Sequence, residues 1–120
     1  MLTDREQDQL AAHAAGIEID HYRGDVAMIK RGNSRGGEEL VAWQPKVDDG
    51  DAFRLAVDLG LDVEQWSSGA VEQWPDEDGR GPYAAVDVGW LVIEHHGSDA
   101  YSATRLAIWR AAVRVGERLA

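Results

Sequence analysis

Apolar residues recur at two different periods along this chain, and the switches between them mark out its elements. Leu10, Ala11 and Ala14, with Ile17 beyond them, return at spacings of three and four behind Thr3 and Glu6. A threonine three residues ahead of a glutamate is a capping box, in which the hydroxyl accepts a helix amide and the carboxylate reaches back to the threonine amide. The pattern predicts a helix over Asp4–Ala15, stopped by Gly16 in a left-handed turn. Ile17–Tyr22, Val26–Lys30 and Leu40–Gln44 are short and rich in branched residues, and they predict three strands, the first two joined by a turn at Arg23-Gly24-Asp25. Pro45 ends the third strand because proline has no amide to give to a ladder. Asp48-Asp49-Gly50-Asp51 then supplies acidic caps for a helix over Ala52–Leu59, which sets Phe53, Ala56 and Val57 on one face and closes at Gly60.

Leu61–Trp66 alternates apolar with polar, and its Val-Glu-Gln-Trp returns at Val71–Trp74, so the two segments read as a hairpin with one buried face. Pro75–Pro82 is an acidic loop. Tyr83–His95 contains Val86, Val88, Trp90, Leu91, Val92 and Ile93, and so little polarity predicts a central strand covered on both faces. Ser98 or Asp99 caps a last helix that carries Ala103, Leu106, Ala107, Ile108, Trp109, Ala111, Ala112, Val113 and Val115. These residues take up most of its circumference, which requires deep burial or a second subunit. Strands interleaved with helices in 120 residues define an α/β protein with one domain over residues 1–120.

Composition narrows the function classes. With 22 acidic and 12 basic residues the net charge is −10, which opposes general binding to nucleic acid or to anionic membranes and favours basic partners, imitation of DNA among the options. The absence of cysteine excludes disulfides, thiolate nucleophiles and cysteine zinc sites, and fits a reducing cytoplasm. The polar start, Met1 to Glu6, lacks the basic and apolar regions of a signal peptide, and no apolar run approaches the length of about 18 residues that spans a bilayer. A small core makes oligomerisation a common remedy for modest stability, so a homo-oligomer is expected.

Most motifs with chemical associations reduce to structural roles. Arg31 to Gly37 has glycines and arginines that either line an anion or form a hairpin loop, and the Gly-Lys-Ser/Thr ending of a P-loop is missing. Glu94-His95-His96 resembles a metal cluster, yet neighbours on a strand point to opposite faces, and His13 and His21 lie far away in sequence. Asp48, Asp49 and Asp51 lack the ligand alternation and final glutamate of a calcium loop, and helix capping accounts for them. Arg23-Gly24-Asp25 matches an adhesion tripeptide that chance alone supplies. No serine sits in a nucleophile elbow. No catalytic residue, metal or cofactor is therefore assigned, and the chain is expected not to be an enzyme.

The last helix departs from this neutral picture. Four arginines and one glutamate give residues 102–120 a charge of +3, against 8 basic and 21 acidic residues, −13, elsewhere. Arg110, Arg114 and Arg118 fall on one helical face, and arginine grips phosphate or carboxylate through paired donors. Trp109 lies alongside, and Trp43, Trp66, Trp74 and Trp90 add stacking surfaces. Trp43, Arg105, Trp109, Arg110 and Arg114 are thus the candidate ligand-binding residues. The alternative is that these arginines bridge to acidic residues while the tryptophans fill the core and interfaces.

Three ordered blocks carry a family likeness: Thr3-Asp4-Arg5-Glu6 with Leu10 to Ile17, Trp43 to Gly60, and Ala103 to Ala112. Together they resemble the opening helix, the tryptophan, proline and acidic-loop helix, and the alanine- and arginine-rich final helix of the phage ABA-sandwich family. The likeness spans most of the chain apart from about Ser67 to Pro82. It implies a three-layer α/β/α sandwich with a mixed or antiparallel central sheet and about three helices, and a phage or prophage source in a bacterial host. The family lends no reaction and no catalytic residue. These observations lead to the expectation of a phage accessory protein that acts by binding, sequestering a nucleotide-like signal of host defence as an oligomer. The alternatives are an acidic inhibitor that docks Asp48–Asp51 and Asp76–Asp78 on a basic host or phage protein, and an enzyme of unrecognised type.

Overall fold

The structure, a computed structural model, describes residues 2–66, 83–89, 91–97 and 99–119. Three helices and six strands follow in the order α1 (Asp4–Ala14), β1 (Ile19–Arg23), β2 (Val26–Gly32), β3 (Glu38–Trp43), α2 (Asp49–Leu59), β4 (Asp62–Trp66), β5 (Tyr83–Asp87), β6 (Leu91–His95) and α3 (Ala100–Leu119). The α/β class, the three helices and the antiparallel pairing agree with expectation. The strands are divided between two three-stranded antiparallel sheets, β1-β2-β3 and β4-β5-β6.

Local chemistry sets the helix ends. Thr3 and Glu6 form the capping box at α1, with the Thr3 hydroxyl accepting from the Glu6 amide at 3.1 Å and Glu6 Oε1 accepting from the Thr3 amide at 3.0 Å. Asp48 caps α2 by accepting the Asp51 amide at 2.9 Å, so this helix starts earlier than its apolar pattern does, and Gly60 closes it with φ +62°. At α3, Asp99 accepts from the Tyr101 amide and the Ser102 hydroxyl. These bonds satisfy amides that no helical carbonyl can reach.

One core joins both sheets and all three helices. Ala11 and Ala12 of α1, Ile29 of β2, Trp43 of β3, Leu55 of α2, Val86 of β5 and, from α3, Ala107, Ile108, Trp109, Ala111, Ala112 and Val113 belong to a single buried cluster. The hub is α3, which packs against α1, α2, β5 and β6, so its broad apolar surface is used within one chain. At the α1–α3 crossing a Cβ placed on Gly116 would lie 2.0 Å from the Leu10 carbonyl oxygen, a gap that admits no side chain.

Two expectations change, and a third falls partly outside the described residues. Tyr83–His95 is a hairpin rather than one strand: Asp87 pairs with Leu91, and Tyr83 with His95 across the ladder. The Asp87 carboxylate accepts the Gly89 amide at 3.0 Å, and Gly89 takes φ +99°. A turn marked by one glycine inside an apolar run leaves no trace in the hydrophobic period. Leu61–Trp66 contributes β4, which pairs with β5, while Val71–Trp74, Trp90 and Ser98 lie outside the described residues. Finally, Phe53 and Val57 do not face the core. The buried side of α2 is formed by Asp51, Ala52 and Leu55, and Phe53 and Val57 are 69% and 60% exposed.

Candidate functional site

Of the five residues singled out in the sequence, Trp109, Arg110 and Arg114 line one groove, while Trp43 and Arg105 lie elsewhere. Trp43, 3% exposed, is a core residue of β3. Trp109 is 4% exposed and its indole donates to Asp8 Oδ1 at 3.0 Å, while Lys46 Nζ sits 4.4 Å from the ring centroid. Burial raises the Asp8 carboxyl above its ordinary range, against the opposing pull of the Trp109 hydrogen bond and of Lys46. Arg110 pairs with Glu94 of β6. It lines a mixed-charge groove with Trp109 and Arg114, in which Asp4, Glu94 and Glu117 offset the cations. Arg105 belongs to a different groove, where its Nε donates to the Lys46 carbonyl at 3.1 Å, Nη1 to Asp49 at 2.6 Å and Nη2 to the Ser102 hydroxyl at 3.0 Å.

The other sequence motifs also resolve into structure. Glu94 turns to Arg110, His95 packs edge-on to Tyr83 at 6.0 Å between ring centroids, and His96 reaches Gln65. Asn33 Oδ1 accepts the Arg35 and Gly37 amides at 3.0 and 3.1 Å, so these loop amides are turned to a side chain of the loop itself. Asp51 is 3% exposed and lies between Arg31, Arg54 and the Gln44 amide. The acidic segment at 48–51 thus serves helix capping, this cluster and the pairing with Arg105, with Asp49 still largely exposed, while Asp76–Asp78 lies outside the described residues.

The groove that holds Arg105 was not singled out in the sequence. It has a volume of about 900 Å³ and runs between α2, β4 and the first turns of α3. Its walls carry Phe53 and Val57 from α2 and Tyr101 from α3, the last 71% exposed, over Ala56, Leu61 and Val63. Phe53 and Val57 stand one turn apart and make an apolar ridge that no element among the described residues covers, in contrast with the isolated apolar residues normal on a surface.

A polar end completes the groove. Gln65 Nε2 donates to Thr104 Oγ1 at 2.7 Å, Thr104 Oγ1 donates to the Ala100 carbonyl at 2.7 Å, and His96 Nε2 lies 2.8 Å from Gln65 Oε1. Because the threonine proton goes to Ala100, Thr104 can only accept from Gln65. That fixes the Gln65 amide with its carbonyl toward His96, so His96 carries a hydrogen on Nε2. The sequence signal for this site was the apolar width of α2: Ala52, Phe53, Leu55, Ala56, Val57 and Leu59 cover more arc than one buried stripe needs.

Searches of protein-family models, curated proteins and solved structures find no match to this chain. Among the described residues no helix is long and apolar enough to cross a membrane.

Proposed function

We propose that this protein acts by binding, without catalysis, and that its site is the groove between α2, β4 and α3, which takes a nucleotide-like small molecule. The observation that carries the reading is the pairing of an uncovered apolar wall, Phe53, Val57 and Tyr101, with a short polar end at Gln65, Thr104 and His96 in about 900 Å³. Small-molecule sites are concave, mostly apolar and provided with a few placed polar groups, commonly in about 300 to 1,000 Å³. Exposed aromatic faces are what a planar base stacks on. The arginine stripe supports the site less well, because Arg110 is paired with Glu94 and its groove is balanced in charge.

In this reading the protein is a phage or prophage accessory protein of the ABA-sandwich type that holds its ligand away from host defence. It works in the bacterial cytoplasm as a homo-oligomer. Edge strand β6 presents exposed Leu91 and Ile93, which supports association with a second copy. Native mass spectra of the purified chain, alone and with millimolar nucleosides and cyclic and linear nucleotides, test this proposal. Stoichiometric adducts on an oligomer are expected, with loss of the adducts in Phe53→Ser. That variant is expected to unfold within about 0.5 kcal/mol of the parent, as surface substitutions generally do. A bare species across the whole panel would falsify the reading.

A further inference from the structure

The proposed binding site has a recognisable chemical preference, and the inference drawn from it rests on the binding reading above. Three features define what it accepts. The first is the Gln65 amide. One of its N–H groups is committed to Thr104 and one carbonyl lone pair to His96, which leaves, among the described residues, one N–H and one carbonyl lone pair of the same planar amide for a ligand. A donor next to an acceptor on a planar amide is the counterpart of a base edge that offers an acceptor next to a donor, as when glutamine pairs with adenine through two parallel bonds. The network through Thr104 and Ala100 holds this amide in a single orientation, so the pattern is set before a ligand arrives.

The second feature is the aromatic wall of Phe53 and Tyr101, both largely exposed, on the two helices that flank the groove. The third is charge. Among the described residues that line the groove, Arg105 is the only lysine or arginine. Three of its five donor hydrogens are taken by Lys46, Asp49 and Ser102, and the Asp49 carboxylate at 2.6 Å offsets its charge. A phosphate would find two donor hydrogens on a cation already paired with Asp49, and would enter the field of a chain with net charge −10.

We infer that the groove selects the uncharged part of a nucleotide, a nucleobase or nucleoside read at its edge by Gln65, and discriminates against phosphorylated forms. Tyr101 and Phe53 supply the stacking surface, and Gln65 is the specificity-determining residue.

Isothermal titration of the full chain with the four ribonucleosides and their 5′-mono- and triphosphates, at low and at high salt, decides the matter. At least one nucleoside is expected to bind, with its triphosphate at least tenfold weaker at low salt and the gap narrowing as salt screens the repulsion. Gln65→Ala is expected to lose at least tenfold in nucleoside affinity with an unchanged thermal midpoint, since Gln65 lies on the surface. Equal or tighter binding of the triphosphate, or an unaltered affinity in Gln65→Ala, overturns this inference and leaves the binding reading standing. Failure of every compound to bind overturns both.

Discussion

Asp51 shows how one buried carboxylate can organise a junction. Its Oδ2 accepts the Gln44 amide at 2.9 Å, and its Oδ1 meets Arg54 at 2.8 Å and Arg31 at 3.4 Å, so the end of β3, the start of α2 and strand β2 are tied to one side chain. Asp51→Ala strands a backbone amide and removes the counter-charge of two arginines. The expected loss is about 2–3 kcal/mol in urea denaturation, with Asp51→Asn between the two because it keeps an acceptor. Asp8 acts in the opposite direction. Burial raises its folded pKa above the ordinary value of 3.8, so the folded state holds the proton where the unfolded chain has lost it. Its contribution therefore falls as pH rises through that window and is least favourable at neutral pH. Asp8→Asn retains an acceptor for Trp109 and is expected to raise the urea midpoint at pH 7 and to match the parent at pH 3; a lower midpoint at pH 7 would refute this. At this scale the capping residues were legible, because Thr3, Glu6, Asp48 and Asp99 act on neighbours within a few positions. The Asp51 cluster and the Asp8–Trp109 bond were not, because their partners are fixed only by the folded chain.

The elements differ in how much their apolar pattern disclosed. Helix α3 was recognisable from its nearly continuous apolar circumference, and the structure uses that surface against four elements. Its closest contact is at Gly116, where a methyl group would overlap the Leu10 carbonyl. Gly116→Ala is expected to force α1 and α3 apart and to cost about 3 kcal/mol or more, seen as a fall in thermal midpoint of roughly 10–20 °C. In α2 the period was read correctly but the buried side was misplaced by one row. Ala52 and Leu55 are as apolar as Phe53 and Val57, so nothing in the pattern says that the larger pair is left outside. The β5–β6 hairpin was hidden for a different reason, since both strands are largely apolar and the turn is marked only by Asp87 and Gly89.

For the molecule as a whole, the α/β class and antiparallel pairing could be anticipated, while the division into two sheets could not. Hydrophobic alternation reports which face of a strand is buried and carries no information on which neighbour it bonds to. The charge imbalance was similarly visible but incomplete. Arginines concentrated in the last helix find carboxylates at Asp49 and Glu94, so a local excess of +3 is in part neutralised by folding. The crossing of α1 with α3 has a further consequence, in the order of synthesis. Leu10 must wait for Gly116, and Asp8 for Trp109, so the first helix leaves the ribosome without the surface it will be buried against. Contacts this distant in sequence close late and slow folding. Until residues 100–119 emerge, the nascent chain carries an orphaned apolar stripe on α1 and a core without its hub, a state open to chaperones and proteases, and native packing waits for α3 to leave the ribosome.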